Sequence, residues 1–94
     1  MSDITATTVT ADGVAVALPD RVKSIYYIRG SSAGSIVLKD GGSGGTTLLT
    51  LTTPGAGSGV DAANTMSIPS DGIRFSTNVY VDVTNVTSVT LFHA

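Results

Sequence analysis

The chain has one histidine, His93, seven acidic residues and no cysteine, so few of its side chains could do acid–base, nucleophilic or metal chemistry. As a general base, His93 would need a positioned partner, and no neighbour in sequence supplies one. A transition-metal site without cysteine or a second histidine would have to be built mainly from carboxylates, an unsuitable ligand set. The acids are all aspartates: Asp3, Asp12, Asp20, Asp40, Asp61, Asp71 and Asp82. Most fall in predicted turns, where a short carboxylate bonds nearby backbone N–H groups. Asp40 and Asp61 are the candidates for calcium in a loop, yet neither heads the spaced oxygen ligands of an EF-hand. GSSAGS, residues 30–35, and GGSGG, residues 41–45, both carry the G-x-S-x-G spacing, but they lie between strand-like runs, where the strand-to-helix turn of a nucleophile elbow would not form. The expectation is a protein without catalytic, metal or cofactor residues.

The loop DGGSGG, residues 40–45, contains four of the eleven glycines and raises the question of phosphate binding. A Walker-type loop opens a helix and carries a lysine toward the phosphates. Here GGSGGTT has hydroxyls but no lysine in place, and TLLTLT after it has strand periodicity, so no helix dipole would face an anion. The loop reads as a hairpin turn.

Those residues must be carried by strands. In NVYVDVT, Val79, Val81 and Val83 share one face and Tyr80, Asp82 and Thr84 the other, the alternation of a half-buried strand. SVTLFH sets Val89 with Leu91, SIVLK sets Ile36 with Leu38, and TLLTLT sets Leu49 with Leu51. In RVKSIYYIR, strict alternation puts Val22, Tyr26 and Ile28 opposite Lys23, Ile25, Tyr27 and Arg29, as in a strand covered on both sides. ITATTVT, VAVAL, TMSIP and GIRF are shorter candidates. Glutamate and glutamine are missing, and only VDAAN, residues 60–64, has room for a helical turn. Asp12-Gly13, Asp40-Gly41 and Asp71-Gly72 supply turns with positive φ, GSSAG suits a hairpin loop, and PGAGSGVDAANT is the longest connection. Ninety-four residues with eight or nine such strands predict one all-β domain, residues 1–94. The expected architecture is a small β-sandwich of jelly-roll-like or related topology with essentially no helix.

Composition narrows the partners. Charged residues are 13% against about 25% in an ordinary domain. The net charge of −2 and the scattered basic residues Arg21, Lys23, Arg29, Lys39 and Arg74 argue against nucleic acid. No apolar run approaches the roughly 18 residues of a membrane helix, and MSDITATTVT lacks the regions of a secretory signal, so a chain made in the cytoplasm is expected. Low surface charge is unusual for a free monomer and favours a surface partly covered by neighbours or by self-association.

The stretches YYIRGSSAGSIVLKDG, GTTLLTLTTP, IPSDGIRF and VYVDVTNVTSVTLFHA resemble small β-rich structural proteins of marine bacteriophages, especially podovirus-like phages of cyanobacteria. The resemblance runs from Val22 to Ala94. It implies a virion component, a capsid decoration (cement) protein bound to the major capsid protein or to other virion proteins; the alternative is a tail or fibre accessory. Residues 1–20 lie outside it and are expected to form a partner-adapting arm and strand pair. The interface residues expected are Met1, Ser2, Asp3 and Ile4 in that arm, Pro54, Val60 and Asp61 in the long connection, and Phe92, His93 and Ala94 at the end. In the alternative reading Tyr26, Tyr27 and Tyr80 contact host-surface glycans, although Tyr26 and Tyr27, adjacent in a strand, must point to opposite sides.

Overall fold

The computed structural model describes residues 4–55 and 63–94. They form nine strands: β1 (Thr5–Val9), β2 (Gly13–Val16), β3 (Asp20–Arg29), β4 (Gly34–Asp40), β5 (Thr46–Thr53), β6 (Ala63–Ser67), β7 (Ile73–Phe75), β8 (Val79–Thr84) and β9 (Val86–His93). No helix occurs among the described residues. Ala63 and Asn64, placed by sequence in a helical turn, instead open β6, where their extended backbone pairs with Ile28 and Tyr27; the rest of that turn, residues 60–62, lies outside the described residues.

Every pairing is antiparallel. One sheet runs β1-β9-β3-β6, with β7 following β6 along the same edge of β3; the other runs β2-β8-β4-β5. Taking β6 and β7 as one interrupted strand, the chain is a long hairpin whose limbs pair β1 with β9, β2 with β8, β3 with β6/β7 and β4 with β5. Rolled into two sheets, that hairpin is a jelly roll. Partners are therefore mostly distant in sequence, and only β4 and β5 are joined by a local turn, the DGGSGG loop.

Alternation dictates what lies between the sheets. Ile25, Val89 and Leu91 from the first sheet meet Ile36, Leu38, Val79 and Val81 from the second, all fully buried, with Phe75 of the short β7 closing one end. β3 departs from strict alternation. Val22 pairs with His93 but Ser24 with Phe92, so one extra residue bulges out at Lys23. The bulge reverses the phase, and Val22 therefore joins Ile25 and Tyr27 in the core instead of Tyr26 and Ile28. β3 is covered on one side only: Tyr26, on its outer face, is exposed.

Two turn expectations change. GSSAG does not close a hairpin, because β3 and β4 belong to different sheets. It crosses between them beside Asn85, the single residue joining β8 to β9, which sits at φ 52° and donates from its amide to the Ala33 carbonyl at 3.0 Å. A Cβ on Gly34 would overlap the Thr84 carbonyl oxygen, so only glycine fits where these two crossings touch. Asp12-Gly13 is likewise a crossing between sheets. Gly13 is not among the glycines at positive φ, which among the described residues are Gly41, Gly42 and Gly72; instead the Asp12 carboxylate accepts from Val83 N–H at 2.8 Å and fastens β2 to β8.

The tip of the roll is clamped from both sides. The Asp40 carboxylate accepts from Ser76 N–H (3.0 Å), the Ser76 hydroxyl (2.8 Å) and Thr77 N–H (2.8 Å). In return, Asn78 Oδ1 accepts from the N–H groups of Gly41 and Gly42, each at 3.1 Å. The glycine N–H groups that a phosphate would need are thus engaged by Asn78. Donation from Ser76, then from Thr77, holds the Asp40 carboxyl down at about 2, from 3.8. A carboxyl lowered by folding stabilises the fold above its unfolded value and loses that contribution as pH falls through its folded value. Asp40→Asn should therefore lower the Tm near neutral pH, with the deficit shrinking as pH falls from 3.8 towards 2. Thermal melts of both proteins across that range check this; a constant deficit would contradict it.

Candidate functional site

Three side chains far apart in sequence converge at the margin of the core. His93, at the end of β9, continues the inward series of Val89 and Leu91 and is buried. On one side its Nδ1 lies 2.7 Å from Asp20 Oδ2 at the start of β3. On the other its Nε2 lies 2.8 Å from Thr7 Oγ1 on β1. Because a carboxylate only accepts, Nδ1–H donates to Asp20. In the neutral ring Nε2 then accepts the Thr7 hydroxyl proton; in the charged ring it donates. The second oxygen of Asp20 is also used, accepting from Arg21 N–H at 2.8 Å.

Hydroxyl, imidazole and carboxylate in this order resemble the constellation that activates a nucleophile. The surroundings differ from that use. Thr7 lies within a regular strand, without the sharp turn that lifts a nucleophile out of an elbow. The imidazole side chain is only 7% exposed, and both of its nitrogens are satisfied within the protein. What the arrangement does physically is stitch β1, β9 and β3 together across the end of the sheet. Sequence reading found His93 without a partner because the partners lie 73 and 86 positions away; only the pairing of β9 with both neighbours brings them within reach.

Beside Asp20 lies an open depression lined by Pro19, Arg21, Arg74, Phe75 and Ala94. Arg21 and Arg74 stand directly opposite each other on β3 and β7. Like charges so placed repel, and among the described residues neither is in a salt bridge. With Lys23 in the adjacent bulge they form a basic corner on the outer face of the first sheet.

The rest of that face is neutral. Across β1, β9, β3 and β6 its rows read Ala6, Phe92, Ser24, Ser67, then Thr8, Thr90, Tyr26, Thr65, then Ser88, Ile28 and Ala63 from the last three strands. Thr8 and Thr90 share a hydroxyl–hydroxyl bond of 2.8 Å. No aspartate occupies an outward position on these strands. Of the described acids off these strands, Asp82 faces outward on the second sheet, 3.8 Å from Lys39 Nζ, Asp12 and Asp40 are engaged in fastening loops, and Asp71 is exposed in the turn between β6 and β7.

The tyrosines do not assemble into one platform. Tyr27 is in the core, Tyr26 is outward on the first sheet, and Tyr80 alternates with buried Val79 and Val81 on the second, so the two solvent-facing rings lie on opposite sides of the sandwich. Of the expected interface residues, Met1, Ser2, Asp3, Val60 and Asp61 lie outside the described residues. Ile4 and Pro54 are exposed, Phe92 and Ala94 half-buried, with Phe92 on the neutral face. His93 points inward, so it is a positioning group and not a contact surface. Residues 5–9 and 13–16 are not a detached arm or a mutual pair; they are β1 and β2, paired with β9 and β8 in different sheets. Asp40, weighed for calcium, spends its oxygens on backbone and serine donors. Among the described residues no three metal-ligating side chains come together, and no helix is long and apolar enough to cross a membrane.

No protein-family model, curated protein or solved structure matches the chain.

The Thr7–His93–Asp20 relay should behave as one unit in stability. His93→Leu leaves Asp20 Oδ2 without its donor and should destabilise the fold by about 2 kcal/mol. Combined with Asp20→Asn, the loss should be clearly less than the sum of the two single losses in a denaturant double-mutant cycle. Additive losses would show that the two side chains do not act together.

Proposed function

We propose that this chain is a bacteriophage virion structural protein that decorates the capsid shell and stabilises it by binding the major capsid protein or other virion proteins. The observation that carries the reading is the outer face of the first sheet: neutral, rich in small hydroxyl side chains, with Phe92, Tyr26 and Ile28 in its rows and a basic corner at Arg21, Lys23 and Arg74. A free monomer ordinarily keeps its surface charged and mixed in sign. Described strands that present no acid outward suit a partner surface that is apolar in the middle and acidic at one edge.

Scale supports it as well. The molecule measures 39 × 31 × 18 Å, so each broad face can supply the roughly 800 Å² per partner of a standard stable contact. Repetition over a lattice multiplies such contacts into avidity without one strong site. Two further considerations point the same way. The segments resembling phage structural proteins supply β3, β4, β5, β7, β8 and β9, the bulk of both sheets. Jelly rolls also serve as viral capsid domains, an analogy of fold alone. The relay at His93 acts in this reading as a staple, with no reacting group.

The mechanism is area. Each copy bridges neighbouring shell subunits, so opening the shell requires exposing the surface it buried. Particles assembled without this chain should rupture at lower temperature or milder osmotic shock, and adding the purified protein back should restore resistance. Substituting Tyr26→Asp on the neutral face should abolish the restoration while leaving the isolated fold intact. Unchanged rupture in particles lacking the chain would remove the stabilising role.

A further inference from the structure

Each sheet has two edge strands, and the four differ in how they are protected. An edge offers unpaired N–H and C=O groups to any passing strand, and proteins blunt such edges by shortening, bending or charging them. β2 is four residues long, shifts register between Val14 and Val16, and is preceded by Asp12. The β6/β7 edge is cut into two short strands by the turn at Pro69 to Gly72. β1 spans five residues. β5 is different. It runs eight residues, TTLLTLTT, with no charge and no proline, and no described strand pairs with the edge it turns away from β4. Its one irregularity, opposite Leu38 and Lys39, lies at its beginning and leaves residues 49–53 regular.

The sequence of β5 is also complementary to itself. Antiparallel pairing about a twofold axis must match residues whose hydrogen-bonding groups point outward with others of the same kind, which allows only registers that pair like-numbered parity. Centring the axis on Thr50 sets leucine against leucine within the regular part of the strand. Leu49 then faces the partner copy's Leu51 and Leu51 its Leu49, on the inner face. Leu49 and Leu51 are half-buried and already packed against the core, so the pairing extends one core into the next.

We propose that β5 is a homotypic docking edge, through which two copies pair antiparallel about Thr50 to join their β2-β8-β4-β5 sheets into one continuous sheet. The proposal stands whether or not the chain decorates a shell, since it rests on the edge alone.

Thr50 is exposed, so it can be changed without touching the core. On the axis, Thr50→Lys sets two ammonium groups against each other. Sedimentation or light scattering of the intact chain should show a concentration-dependent dimer, weakened roughly tenfold or more in Thr50→Lys and likewise in Thr50→Asp. Circular dichroism should show both variants folded. Mixing Thr50→Lys with Thr50→Asp places opposite charges on the axis and should bring the dimer back. A monomer at the highest soluble concentration would overturn the proposal. So would a dimer indifferent to both charges, or a mixture that stays monomeric, since either puts any association elsewhere.

Discussion

Two sheets in this molecule share one layer of side chains, and with a thickness of 18 Å there is no room for a second. Sheets packed face to face stand about 10 Å apart, which leaves only the outward side chains on either side. Among the described residues, ten apolar side chains make up the buried cluster. All of the molecule's other features follow from how the chain reaches that layer: it folds into a long hairpin and rolls it, so that each strand presents alternate residues to the middle. Outer faces and edges are what remain, and any function must be carried there or at the margins of the layer.

A core this thin in a domain of this size leaves little surplus stability, and no cysteine is present to supply a cross-link. Polar groups at the margins take up part of that task. At the tip, Asp40 and Asn78 exchange hydrogen bonds with each other's loops and hold the β4–β5 turn against the crossing from β7 to β8. Near the same end of the sandwich, His93 spans from Thr7 to Asp20 and ties three adjacent strands. Between the crossings, Asn85 reaches Ala33. Each joins segments that the backbone ladder alone leaves separate. The polar side chains that at first sight invite a chemical role are mostly occupied in closing the roll.

Much of this was legible in the residues, for a physical reason. Period-two alternation survives wherever a strand is regular, so the inward sets Val79/Val81, Val89/Leu91 and Ile36/Leu38 could be read directly. Where one extra residue enters, the pattern slips by half a period: strict alternation groups Val22 with Tyr26 and Ile28, because nothing local announces the bulge at Lys23. The turns illustrate a second limit. Asp-Gly and a glycine-flanked serine loop look alike whether they close a hairpin or carry the chain between sheets, and Gly13 and Gly34 do the latter. The relay and the clamp were invisible for a third reason: their members meet only through strand pairing over long separations. What sequence saw in the tyrosines was their number; that Tyr26 and Tyr80 lie back to back depends on the roll.

The neutral, acid-free face of the first sheet connects this architecture to the proposed role. Hydroxyl side chains in register across β1, β9, β3 and β6 give a flat surface whose polar groups partly satisfy one another, as Thr8 and Thr90 do, and which is therefore cheap to dehydrate against a matching partner. The most direct measurement is hydroxyl-radical footprinting of this chain, free in solution and bound in purified phage particles. The account predicts strong protection of Tyr26 and Phe92 in particles, with Tyr80 on the opposite face labelled more heavily than either. Equal labelling of Tyr26 and Phe92 in the two states, or particles that do not contain the chain, would contradict it.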